Sequence, residues 1–117
     1  MTETFTSKKK QDSLINTELT CSLKNGQSIT IPRPIREKLS FFPGDEVTVS
    51  LTAESNELMI RKVKGDTLDN KMIISERGAI RIPVELRRFL RLEREESFDI
   101  FVLREDEGIL LKKERFA

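Results

Sequence analysis

The chain has 117 residues, 21 Lys and Arg against 20 Asp and Glu, a formal net charge of +1, one Cys and no His, Trp or Tyr. The missing His removes the usual general base at neutral pH and the commonest zinc ligand, and one Cys forms no internal disulfide. The near-zero charge lacks the basic excess of a simple nucleic-acid binder, and no run approaches the roughly 18 apolar residues of a membrane helix.

Residues 1–18 hold Lys8-Lys9-Lys10 and few apolar groups, and read as a flexible N-terminal tail. The tail lacks the apolar stretch of a signal peptide, so the expectation is a soluble cytoplasmic protein. Its lysines are either a phosphate-binding arm or a stretch with no specific role. Leu19 to Leu23 reads as a strand leading into Gly26, and Ile29 and Ile31 alternate with polar residues as on a half-buried strand. Pro32 ends that strand and suits the first position of a short helix. Ile35 and Leu39, four apart, share one face of this helix. Phe42-Pro43-Gly44-Asp45 signals a turn. Val47, Val49 and Leu51 alternate along a strand, Glu54 to Glu57 turns, and Leu58 and Ile60 alternate on the return strand.

The same order then recurs. At an offset of 51 residues Ile29-Thr30-Ile31-Pro32 falls on Ile80-Arg81-Ile82-Pro83, Ile35-Arg36 on Leu86-Arg87 and Leu39 on Leu90. Val47, Val49 and Leu51 fall on Phe98, Ile100 and Val102, and Leu58 and Ile60 on Ile109 and Leu111. Met72 to Ser75 is the second copy's leading strand, ending at Gly78. The glycine-to-proline spacing differs between copies, so the first is expected to carry an extra residue in this turn. The division is a first repeat at 19–63, a polar linker at 64–70 and a second repeat at 71–114. A unit of about 45 residues is too small to bury a stable core alone, so the copies are expected to complete each other.

These two segments, Gly26 to Leu39 followed by Pro43-Gly44-Asp45-Glu46-Val47, and Gly78 to Arg88 followed by strands ending at Lys113, resemble the AbrB/MazE/SpoVT family of DNA-binding proteins. The resemblance covers about 19–114. It implies a mainly β fold with short helices, a swapped-hairpin AbrB-type β-barrel formed as a pseudo-dimer by two tandem repeats. It also implies binding to double-stranded DNA in transcription regulation, at the bacterial or archaeal nucleoid, without cofactor or metal. The chain departs from the family in places. Glu95-Glu96 replaces Gly44-Asp45, which predicts a different turn. Family basic positions fall on Gln27, Ala79 and Met72, and the pair Arg87-Arg88 becomes Arg36-Glu37 in the first repeat.

Charge is segregated along the chain. Lys24 to Lys38 carries net +3, Arg77 to Arg94 net +4, and Glu95 to Glu107 net −5. Arg binds phosphate through a fork of donors or reaches a base edge. The candidate DNA-binding residues are therefore Lys24, Arg33, Arg36, Lys38, Arg77, Arg81, Arg87 and Arg88. For Arg36 and Arg87 the alternative is an ion pair tying helix to barrel. Arg91 and Arg94 read as solubilising residues at the helix end. Phe42, Phe101 and Phe116 are either an association surface or core, leaving a homo-oligomer open, and Cys21 reads as a small core residue. A second reading of a different class is an antitoxin-type interaction module with a toxin partner. An enzyme is the weakest reading, because Glu95, Glu96 and Asp99 have no nucleophile or base to work with.

Overall fold

Among the described residues, alternating apolar residues and Pro-punctuated turns build eight strands and two short helices. In chain order they are β1 (Leu14–Lys24), β2 (Ser28–Thr30), α1 (Arg33–Leu39), β3 (Glu46–Leu51), β4 (Leu58–Lys62), β5 (Asn70–Ile73), β6 (Ala79–Arg81), α2 (Val84–Phe89), β7 (Ser97–Leu103) and β8 (Gly108–Lys113). The computed structural model describes residues 14–52, 57–63, 65, 70–104 and 107–113. Lys8-Lys9-Lys10, turn residues 54–56, linker residues 64 and 66–69, Glu105-Asp106 and Phe116 lie outside the described residues. Among the described residues no helix is long and apolar enough to cross a membrane.

All pairings are antiparallel, in the order β5-β3-β4-β8-β7-β1-β2-β6. The two ends of this order meet where Ser75 N–H donates to Ala79 O at 2.9 Å, so the sheet is a nearly closed eight-strand barrel. Its interior is filled by alternate residues of every long strand. Ile29, Val47, Val49, Leu58, Ile60, Ile80, Ile100 and Ile109 are all fully buried. Ile35, Leu39 and Leu90 close the barrel from the helices, and Leu86 packs half-buried beside them.

The registers reveal a pseudo-twofold axis. Ile29 pairs with Ile80 across β2–β6, and Met59 pairs with Leu110 across β4–β8. Both pairs join residues 51 apart, so each lies on the axis. Off the axis, β3–β5 pairs Glu46 with Ile73, and β7–β1 pairs Ser97 with Ser22, the same contact moved by 51. The leading strand of each repeat thus pairs with the third strand of the other repeat.

Three expectations need correction. First, β1 begins at Leu14, inside the segment read as a tail; Leu14, Ile15 and Asn16 pair with Leu103, Val102 and Phe101. A bulge between Asn16 and Thr20 hides this part of the strand from a period-two pattern. Glu18 takes φ 62 there, while Thr17 Oγ1 donates to Ile100 O at 2.8 Å. Second, the turns after β1 and β5 have equal length, since Lys24 opposes Ser28 and Ser75 hydrogen-bonds Ala79. Only the glycine moves. Asn25 and Gly26 both have positive φ in the first turn, whereas Gly78 alone does so at the end of the second. Third, the Glu95-Glu96 turn differs from its counterpart only in part, since it keeps the bonds that close the turn. Phe42 N–H donates to Asp45 Oδ2 at 2.9 Å, and Glu93 N–H to Glu96 Oε1 at 3.0 Å. The positive φ of Gly44 has no equivalent at Glu95.

The helices also match. Pro32 and Pro83 stand at the N-cap, one place before the first helical residue; the left-handed Ser40, φ 58, caps α1, and its counterpart Arg91, φ 54, follows the right-handed cap Leu90 of α2. Left-handed backbone costs a non-glycine residue about 1–2 kcal/mol. Arg91→Gly is therefore expected to raise unfolding stability by about 1 kcal/mol, read as a higher urea midpoint at unchanged m-value. Cys21 is buried opposite Phe98, and burial pushes its thiol up to about 12. A free thiol ionises lower, so the unfolded chain loses this proton first and stability falls as pH rises from about 9 toward 12. Cys21→Ala is expected to flatten that part of the stability–pH curve, measured by chemical denaturation at each pH.

Candidate nucleic-acid interface

The two helices and the turns before β2 and β6 gather at the end of the axis marked by Ile29 and Ile80. Beyond the strands the ladder continues, with Ile31 N–H donating to Gly78 O at 3.2 Å and Ile82 N–H to Gln27 O at 2.9 Å. Each turn is thereby stitched to the strand of the other repeat just where that strand runs into its helix.

One arginine from each helix locks this arrangement. Arg36 Nε donates to Ile31 O and Arg87 Nε to Ile82 O, both at 2.9 Å and both five residues back along the chain. Arg87 Nη1 also donates to Gly26 O, in the turn of the other repeat, at 2.7 Å. Arg36 meets the opposite turn by contact. A Cβ on Gly78 would lie 2.5 Å from Arg36 Nε, so only glycine lets the guanidinium in. Both arginines are half-buried, and their partners are main-chain carbonyls where an ion pair was the expected alternative. Arg94 joins this joint as well: its carbonyl accepts Gly26 N–H at 3.1 Å and its side chain lies against Gly26. The sequence alone assigns Arg94 only a solubilising role.

The other candidates are exposed around this joint. Lys24 ends β1, Arg77 lies in the second turn, Arg81 stands on β6 opposite Ser28, and Lys38 and Arg88 project from α1 and α2. Arg33 is exposed and pairs with Glu37 at 3.1 Å, one helical turn on. Such an exposed pair contributes only about 0.3–0.5 kcal/mol. The joint thus brings the turn of one repeat beside the helix of the other: Lys24 near α2, and Arg77 near α1.

Carboxylates are handled differently. Glu107 pairs with Arg61 at 3.1 Å and Glu57 with Lys112 at 3.8 Å, both across the β4–β8 seam. In the strand order that seam lies opposite β2–β6 around the barrel. Glu96 is instead near α2, where it caps Glu93 N–H and pairs with Lys113 at 3.7 Å. Among the described acidic residues, Glu96 and Glu107 therefore stand toward opposite ends of the axis. Phe101 is half-buried under the Lys112 ammonium, 4.7 Å from its ring centre, whereas Phe42 is exposed. Among the described residues no three His, Cys, Asp or Glu side chains are grouped to hold a metal.

The class these features define is a nearly closed antiparallel barrel of two interlocked repeats with paired helix–turn joints. No protein-family model matches the chain, and no curated protein is significantly similar to it.

Arg87→Met removes two charge-assisted bonds and strands Gly26 O and Ile82 O, and is expected to cost about 2–3 kcal/mol of stability. Arg88→Met, one residue on and exposed, is expected to stay within about 0.5 kcal/mol of the parent. Chemical denaturation of the two variants side by side checks the contrast.

Proposed function

We propose that this chain is a duplex-DNA-binding regulator of transcription, built as a single-chain swapped-hairpin barrel of the AbrB/MazE/SpoVT type. The observation that carries the reading is the joint itself: Arg87 bridges α2 to the turn at Gly26, and Arg36 packs α1 against the turn at Gly78. Exposed cations on both elements then share one end of the pseudo-twofold axis, as a surface facing a duplex requires.

In this reading Lys24, Arg33, Lys38, Arg77, Arg81 and Arg88 contact DNA, while Arg36 and Arg87 position the turns. Phosphate contacts supply most of the affinity, and a few arginines at base edges supply selectivity. Charge reversal at Arg87 would also break the joint, so the informative variants are Arg81→Ala and Arg88→Ala. Association with a duplex pool is expected to weaken steeply from about 50 to 200 mM salt. The double variant is expected to keep the parent's unfolding curve and to reduce the slope of log K against log salt by about 2, close to one per cation. Affinity that stays flat with salt would overturn the proposal.

A further inference from the structure

Each exposed cation of the proposed surface has a counterpart on the other side of the pseudo-twofold axis, 51 residues away. Lys24 corresponds to Ser75, Arg33 to Val84 and Lys38 to Phe89; Arg77 corresponds to Gly26, Arg81 to Thr30 and Arg88 to Glu37. None of these six positions keeps its charge. At this end of the axis the cation held in both repeats is Arg36/Arg87, half-buried and bonded to main-chain carbonyls, while Arg61/Lys112 and Lys62/Lys113, on β4 and β8, also keep their charge. At the helix–turn end the barrel therefore obeys the axis while the solvent-facing cations do not.

A true twofold protein offers identical contacts to two half-sites, and its sites are palindromic for that reason. Here the half built from α2 and the first turn offers Arg88 and Lys24, with Arg81 just off the axis. The half built from α1 and the second turn offers Arg33, Lys38 and Arg77, and it sets Glu37 where Arg88 stands in the other. Turning the chain end for end on a duplex would bring a carboxylate to the phosphate or base edge that an arginine had held.

Resting on the DNA-binding reading above, we infer that this chain recognises a non-palindromic duplex site and binds it in a single orientation. The axis supplies the spacing of the two half-sites, and the unlike side chains supply their difference. Reversed binding is expected to be weaker by about 5- to 150-fold, the effect of one lost bidentate base contact.

The test selects sites from duplexes with about ten random base pairs, one helical turn, so that one chain fills the site. Enriched sequences are expected to lack inverted-repeat symmetry. Ser40→Cys and Arg91→Cys, each in a Cys21→Ala background and carrying an iron chelate, are then expected to cleave opposite ends of the selected site, each at one end only. Inverted repeats, or cleavage at both ends by each probe, would overturn the inference. Retained duplexes with no enriched sequence overturn it too, while leaving DNA binding intact. Recovery of no duplex above a protein-free control overturns the DNA-binding reading itself. Glu37→Arg, an exposed change that makes the two helices alike at this position, is expected to move the enriched sites toward inverted repeats.

Discussion

The pairing of Ile29 with Ile80 is the constraint from which the rest of the molecule follows. Both side chains are fully buried, and both stand on three-residue strands too short to form a stable sheet alone. Joined back to back, they fix the axis, and the axis in turn fixes which strands can meet. β1 must reach β7, and β5 must reach β3, so neither repeat contains a finished core of its own. The apolar interior exists only in the combined object, as expected when each unit has only about 45 residues.

The arginine joint transmits this constraint to the surface. A guanidinium bonded to carbonyls ahead of the helix and to the opposing turn leaves neither element free to shift alone. The surface can then change in sequence without disturbing the frame, because its side chains point away from these bonds. Such a division of labour explains how two repeats with matching backbones carry unrelated exposed residues.

Much of this was legible in the chain. The Ile-x-Ile-Pro signature, the alternation in β3 and β7 and the four-residue spacing of helix contacts are local patterns, and local patterns survive divergence. What escaped reading depended on three-dimensional context. The bulge at Glu18 shifts the phase of β1, so Leu14 and Ile15 look unconnected to Cys21 and Leu23. Gly26 and Gly78 mark different places in turns of equal length, so using glycine as a ruler gives a false insertion. Arg36 and Arg87 carry no sequence-visible partner, since main-chain carbonyls are present at every residue. Their one clue was persistence at the 51-residue offset where the other basic residues of the region were exchanged.

Placing both repeats on one chain has a consequence for quantity. A barrel assembled from two separate copies folds and associates in the same equilibrium, and dilution would dismantle it. Here the second half is always present at an effective concentration on the order of millimolar, whatever the abundance of the protein. The assembled barrel should therefore persist at a few molecules per cell, a regime in which a two-copy version would be mostly unassembled.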